Sequence, residues 1–585
     1  MGIWKPILDG TGDTEESWVG HDASERFPVY TRGNAGEVYP EVFTPLSFSV
    51  AAEAGEKAMR NAILTSGLVR PKELEGIPIS TAIGSGVFGG YAYLNLSIQR
   101  LAAARTPGGK ATDADVNYLG VGDPPPHEPL PGERNLVATL AGLRYLWRTV
   151  RTDDLPELAD DQRLVDEYLG MLSDPETSTD AELRSSIDEL MPLFADLFER
   201  HLIVSFAAGM TVAVLTGLCD RQLDDPTLAV RLLAGLGDVD SAAPSRAIWE
   251  LSRLAQATPA VAAAFDAGGH GLWERLQADP EAASFVDRFQ VFLEQYGSRG
   301  PNEWDTAFDT WETDPALALT MVDRMFAADD SHDPVRQHRR LAEDAAEAEA
   351  KALAELPRLA RWPFRKILAA ARLYSRSRER TKTTVIRAIH GARLRAMELD
   401  RRLVERSGGQ RGDLWFVLDG EMDDYVADPG SFASVIEGRR AQRRRLAERE
   451  PPFFFSGSQP PLSRWKLRTE TREPLPVGEL LTGLPGCPGI ARGRARIVTE
   501  AADPRGLQPG DVLIAPLTDP AWTPLFVPVE AVVVDVGAIM SHAVIVSREL
   551  GIPCVVSATD ATKRIADGAL VEVDGTAGTV RVIEA

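Results

Sequence analysis

Gly537-Ala-Ile-Met-Ser-His-Ala-Val-Ile-Val-Ser-Arg-Glu-Leu-Gly551, followed at once by Ile552-Pro-Cys-Val-Val556, is the stretch on which the fold turns. The apolar run before it, Ala531-Val-Val-Val-Asp-Val536, has the length and β-branched content of a buried strand. Gly537 opens a turn and Ser541 has the side chain of a helix N-cap, so His542 falls in the first turn of an amphipathic helix. The first N–H groups of a helix have no internal partner and lie at the positive end of its dipole, so an anion is held there without a dedicated cation. An imidazole of ordinary pKa is mostly neutral at pH 7 and can attack phosphorus, giving a phosphoramidate reactive enough to pass its group on. The alternative is a half-buried cap residue. As a carrier, His542 is expected at an exposed helix start.

Ser541, His542, Arg548, Glu549, Leu550, Gly551, Ile552 and Pro553 together resemble the swivelling phosphohistidine domain of the phosphoenolpyruvate-utilising enzyme family. That pattern is a Gly-rich turn, Ser-His or Thr-His, an aliphatic stretch, Ala-Arg-Glu-Leu-Gly-Ile-Pro and Val-Val. Ala538 and Ser547 depart from it, where a second Gly and an Ala are usual, and neither departure removes the nucleophile. The resemblance extends over residues 484–585: Leu484-Pro-Gly-Cys-Pro-Gly-Ile-Ala-Arg-Gly493 opens the domain, Asp511–Ala515 is a strand, and Thr518–Pro524 is a turn into a short helix. Asp567-Gly568, Asp574-Gly575 and Gly578 punctuate the closing strands. It implies a small α/β domain.

At 585 residues the chain is too long for one core and is expected to be multidomain. Its 44% hydrophobic and 25% charged residues are ordinary for a soluble globular protein. A formal charge of -23 argues against nucleic acid or an anionic membrane surface as the main partner, so any phosphate site must be local. Cys219, Cys487 and Cys554 are odd in number and widely spaced, which leaves no disulfide framework and no CxxC zinc site and points to the cytoplasm. The cluster Asp329-Asp-Ser-His-Asp333 reads as a solvated loop, and no metal site is expected. No basic n-region precedes an apolar h-region at the N-terminus, and no uninterrupted apolar run reaches the ~18 residues of a membrane span.

Near the N-terminus, Pro40 and Pro45 exclude a long helix before position 46 and leave a polar, extended segment that could line a site. Asn34, Glu37, Pro40, Thr44, Pro45 and Leu46 resemble the opening of the central domain of rifampin phosphotransferases, which implies substrate-binding roles for Asn34, Glu37 and Thr44; the alternative is that Asn34 and Glu37 only tie down a loop. Gly84-Ser-Gly-Val-Phe-Gly89 formally fits GxGxxG, yet the next run, Tyr91–Ser97, looks like strand and the later acidic residue is missing, so a dinucleotide loop is rejected. Gly108-Gly-Lys110 lacks the frame of a Walker loop.

From about 133 to 450 apolar residues recur at three- and four-residue spacing, a helical pattern broken by Pro and Gly. The basic run Arg439–Arg449 reads as a solvated helix face. Phe292-Leu-Glu-Gln-Tyr-Gly-Ser-Arg-Gly-Pro-Asn-Glu-Trp304 stands out: a helix stops at Gly297, and Gly300-Pro301 keep the chain irregular, presenting Arg299 and Glu303 on a loop beside Trp304. With Trp311 and Asp314-Pro315 it too resembles the rifampin phosphotransferase central domain. Arg299 suits phosphoryl transfer because its planar fork holds two phosphate oxygens; the alternative is a structural ion pair with Glu303. A third matching stretch, Ser377–Lys382 with Arg387 and Arg393, places arginines at helical spacing that could face a phosphate or simply pair on the surface with the acidic remainder; of these, Arg387 is assigned to substrate binding. His390 is expected at the surface.

Glu450-Pro-Pro-Phe-Phe-Phe-Ser-Gly-Ser-Gln-Pro-Pro461 breaks the helical pattern, and 472–483 is again irregular. The expected layout is a large, mostly α-helical substrate domain over 1–450 with β structure near 77–97, a linker over 451–483, and a small α/β swivelling phosphohistidine domain over 484–585. Rifampin phosphotransferases place an ATP-binding domain before this pair, and phosphoenolpyruvate synthase places a barrel after it. Without either module, the arrangement resembles the larger subunit of phenylphosphate synthase, which is charged by a separate subunit. The expectation is therefore a dikinase-like phosphotransferase in which His542 and Arg299 are catalytic. No cofactor is bound by the chain itself, ATP and Mg enter through an ATP-grasp-type partner subunit, and the acceptor is a hydroxyl on a small molecule. Trp304 and Trp311 suggest an apolar or aromatic acceptor. The alternatives are a non-catalytic binding relative and a regulatory phosphocarrier.

Overall fold

Two long helices, Asp180–Leu223 and Arg358–Ser407, frame the large domain, with Pro45–Thr65 packed beside the first. The computed structural model describes residues 3–7, 16–106, 108–119, 124–225, 227–236, 243–326, 328, 333–470, 472–500, 506–519, 522–538 and 541–584. Residues 329–332 of the acidic cluster and 539–540 of the turn before His542 lie outside them; Asp333 caps the helix Pro334–Glu355. The first long helix starts at a capping box, in which Thr179 Oγ1 accepts the Glu182 N–H at 3.3 Å and Glu182 Oε2 accepts the Thr179 N–H at 2.7 Å. It contains an 18-residue window of mean hydropathy 2.1, enough by length and composition to cross a membrane; here Ala207, Ala208, Thr211 and Leu215 of that helix are buried inside the helical domain.

Beside an antiparallel ribbon of Trp4–Ile7 with Glu16–Val19, this domain holds a four-stranded antiparallel sheet in the order Ser85–Phe88, Tyr91–Asn95, Val29–Thr31, Phe454–Ser456. Gly89 and Gly90 join the first two strands with φ of 54° and 81°, the left-handed pair that a two-residue hairpin requires. The glycines of the GxGxxG match therefore serve a hairpin. Phe454–Ser456 corrects the linker expected over 451–483: its Phe455 packs on Tyr30 and Phe88, so aromatic burial overrides the flanking prolines. Arg449–Glu450 pairs with Lys466–Leu467, and Leu480–Thr482 already belongs to the second sheet.

That second sheet has eight strands, in the order Leu484–Cys487, Cys554–Val556, Ala531–Val534, Val512–Ala515, Ile490–Ile497, Leu570–Asp574, Thr579–Glu584, Leu480–Thr482. Ile490–Ile497, Val512–Ala515, Ala531–Val534 and Cys554–Val556 run parallel, and the apolar sequence of the last three fits their burial on both faces. Helix His542–Leu550 crosses between the last two and starts at the carboxyl ends of the strands, the edge where such sheets present ligands. Trp522, Leu525 and Phe526 beside it lie in one apolar core with Trp249, Phe292 and Leu319 from helices between 243 and 328.

Candidate functional site

Local structure seats His542. Ser541 is the N-cap, its Oγ accepting the Val544 N–H, and the imidazole lies between two threonine hydroxyls: Nε2 is 3.0 Å from Thr523 Oγ1 and Nδ1 is 3.2 Å from Thr518 Oγ1. Phe526 meets the ring edge-on at 5.9 Å. Both threonines follow strand Val512–Ala515 at the same edge of the sheet, so the strand order brings them to the helix start. The exposed helix start expected from the sequence is corrected here: the large domain covers the ring and leaves it half-buried. Burial first, then the nearby charges of Lys382, Arg299 and Arg378, hold the imidazole pKa well below its usual 6.5. The ring is therefore held neutral at pH 7.

Across the interface the large domain presents a cationic face. Arg378, Lys382 and Thr383 lie on helix Arg358–Ser407, and the loop after helix Ala283–Tyr296 brings Arg299 and Glu303 against them. The buried Glu303 carboxylate accepts Arg299 Nε at 2.7 Å and faces Lys382 Nζ at 3.2 Å. Arg299 Nη1 donates to Thr383 Oγ1 at 3.3 Å, whereas its buried Nη2 has no hydrogen-bond partner among the described residues. Arg393, fully buried, supports the loop from behind by donating to the carbonyls of Glu303 and Asp305 at 2.6 and 3.1 Å. At this face two hydrogen bonds cross between the domains: the His542 N–H donates to Glu37 Oε2 at 3.1 Å, and the Asn302 N–H reaches Asp519 Oδ2 at 3.4 Å.

Beside this face lies an aromatic wall. Trp304 packs on Phe198 at 5.8 Å, Tyr39 at 6.3 Å and His201 at 5.7 Å, and its buried Nε1 has no partner among the described residues. His201 Nδ1 is 3.0 Å from Thr381 Oγ1, and burial, then Arg378 and Lys382, push its pKa down to about 3. Among the described residues no group of three or more His, Cys, Asp or Glu side chains converges on a metal position.

Of the residues singled out in the sequence, the structure brings His542, Arg299, Glu303, Trp304 and Glu37 together. Asn34, with a φ of 64°, stands at the N-cap position of helix Ala35–Val38 without a side-chain cap hydrogen bond, and it is Glu37 of that helix that reaches the site. Thr44 is corrected to a structural role: its Oγ1 donates to Ser47, which donates to Asp305, tying helix Pro45–Thr65 to the loop. Arg387 is also corrected. It pairs with Asp166 at 2.8 Å on the outer surface, because five residues beyond Lys382 is about 140° round the helix. His390 is buried, 2.9 Å from Glu312, and not at the surface. Lys382, Arg378, His201, Thr518 and Thr523 were missed; the four-residue spacing of Arg378 and Lys382, one face of one helix, was the available signal.

Residues 201–381 match the rifampicin phosphotransferase fourth domain, and residues 507–578 match the mobile domain of PEP-utilising enzymes. An uncharacterized protein of Mycobacterium tuberculosis is 30% identical over 96% of this chain and 62% of its own length. The prodigiosin synthesizing transferase PigC of Serratia marcescens is 26% identical over 96% of this chain and 64% of its own. The rifampicin phosphotransferase of Bacillus subtilis is 28% identical over 51% of this chain and 34% of its own. The chain thus spans less than two thirds of the length of these relatives. Its matched domains are those of PEP-utilising enzymes, in a rifampicin phosphotransferase-like architecture.

Proposed function

We propose that the chain is a phosphotransferase in which His542 takes a phosphoryl group from a nucleotide-charged module and delivers it to a hydroxyl of a small apolar or aromatic molecule on the large domain. The observation that carries this is the neutral His542 ring, held by Thr518 and Thr523 at a helix N-terminus, with Arg299, Arg378 and Lys382 of the opposite domain acting on it. On charging, the donor's O–P bond breaks as an N–P bond forms at the imidazole. On transfer, the acceptor oxygen bonds phosphorus, the N–P bond breaks, and the hydroxyl proton ends on the freed imidazole. Charge on the moving group spreads over its three equatorial oxygens, which two guanidinium forks and an ammonium stabilise. The threonine facing the nitrogen that does not carry phosphorus keeps the ring oriented.

Trp304, Tyr39 and Phe198 offer the acceptor an aromatic surface. The names of two relatives, one for rifampicin and one for prodigiosin, support a small organic acceptor. ATP and Mg are assigned to an ATP-grasp-type partner subunit. The test is labelling with phosphoramidate, a small phosphoryl donor, followed by peptide mapping. The label is expected on His542, stable to base and lost in mild acid, and absent from His542→Ala; an acid-stable label, or one that persists in the variant, overturns the carrier role. ATP with Mg and the chain alone is expected to give no label.

A further inference from the structure

Glu37 is the unusual group of this interface. It sits on helix Ala35–Val38 of the large domain, 6% exposed, and its Oε2 takes the N–H of His542, the first residue of the carrier helix. Oε1 is buried without a hydrogen-bond partner among the described residues, and the Ala538 backbone of the same turn lies near enough to favour the charged form. The carboxyl therefore stands where two backbone donors and a helix dipole would hold an anion. Among the described residues neither neighbouring cation makes an ion pair with it: Lys382 faces Glu303 at 3.2 Å, and Arg378 lies 3.8 Å from Glu379.

We propose that Glu37 is a positioning residue that gates His542 through its own proton: the carboxyl occupies the place at the start of the carrier helix where the charge of a carried phosphoryl group is to be held, so a loaded His542 seats only on the neutral acid. This rests on the carrier function proposed above. The groups facing Glu37 are Arg378 and Lys382 from helix Arg358–Ser407, the His542 and Ala538 amides, and the Cys554 thiol of the strand beneath. Burial outweighs the favourable amides and cations and pushes the carboxyl from 4.5 up to about 8. A carboxyl whose docked pKa is raised binds its proton more readily docked than free. Docking therefore takes up a proton between about pH 4.5 and pH 8 and weakens as pH rises through that window. A phosphoryl dianion beside the carboxyl adds like-charge repulsion and strengthens the coupling.

The test uses the full chain, loaded on His542 with phosphoramidate, and the unloaded chain. Hydrogen exchange of the peptide covering 541–550 is followed from pH 6.5 to 9.5, corrected for intrinsic exchange. Wild type is expected to lose protection as pH rises from 6.5 towards about 8, by up to about tenfold per pH unit, and to level off above it, the loaded form losing more than the unloaded. Glu37→Gln, which keeps an acceptor for the His542 N–H without the charge, is expected to hold its protection across the range. Glu37→Ala loses the acceptor as well and is expected to be weakly protected throughout. Parallel pH profiles for wild type and Glu37→Gln overturn the gate. Failure of His542 to label overturns the carrier function instead, and the unloaded pair of profiles still decides whether docking takes up a proton at Glu37.

Discussion

Arg299 and Glu303 are buried together on an irregular loop, Nε to Oε2 at 2.7 Å, and the pairing leaves Arg299 Nη2 without a hydrogen-bond partner among the described residues. The ion pair and the phosphate role, alternatives in the sequence, are compatible in the structure: one edge of the guanidinium fixes the loop and another is left to meet an anion. Lysine can supply the charge but not the second donor. Arg299→Lys is expected to slow discharge of labelled His542 to an acceptor by about a hundredfold. Stability should change little, since Lys382 still neutralises Glu303. Single-turnover discharge and urea unfolding check both parts; an unchanged rate would return Arg299 to a purely structural role.

His542→Ala removes hydrogen bonds to Thr518 and Thr523 and the contact with Phe526. The ring is only half-buried, so the expected cost is about 1 kcal/mol in urea titration. Labelling by phosphoramidate should be abolished, because neither threonine is an activated nucleophile.

Lys382→Met and Arg387→Ala should separate the inner from the outer face of one helix. Lys382 touches Glu303 and depresses His542, whereas Arg387 makes a surface pair with Asp166. Discharge is expected to fall at least about tenfold in the first and to stay within about twofold in the second, with a stability change of about 0.5 kcal/mol or less for Arg387→Ala. Equal losses of discharge in the two variants would refute the assignment.

His201 should leave a signature in acid. Its pKa in the fold is about 3 against an ordinary 6.5, so the unfolded chain binds a proton that the folded chain refuses, and its contribution to stability is lost as pH falls below 6.5. The raised carboxyls of Glu37, Glu56 and Asp535 act in the opposite sense as pH falls, so the measurement is a difference. The stability gap between wild type and His201→Gln should shift against wild type by about 1.4 kcal/mol per pH unit from 6.5 towards 5. A gap independent of pH would show that His201 protonates in the fold.

The carrier domain was legible because its signal is local: strand, turn, cap and helix follow one another from Ala531 to Leu550, and each residue type has a reason at its place. The pairing of Val29–Thr31 with Phe454–Ser456 was not, since strands that distant leave no joint pattern in a single sequence and the prolines around Phe454 suggested a linker. Arg378 and Lys382 lay inside a stretch already singled out; the rotational phase of the helix, which only packing sets, decided that they and not Arg387 face His542. His201 sits inside an apolar helix with nothing local to mark it. Glu37 was visible, but its partner is a backbone N–H, a group every residue carries.

The apolar core that Trp522, Leu525 and Phe526 share with Trp249, Phe292 and Leu319 affects how the protein can be taken apart. Each large side chain in it is worth about 1.5–3 kcal/mol when kept from water, so wetting the sheet or the helices between 243 and 328 apart from the other is costly. Though remote in sequence, the two should melt cooperatively, in a single denaturant transition. A truncation at Gly483 would not release a tidy carrier and a tidy acceptor domain: it would expose complementary apolar faces on both fragments, which should aggregate when expressed apart and regain solubility when co-expressed.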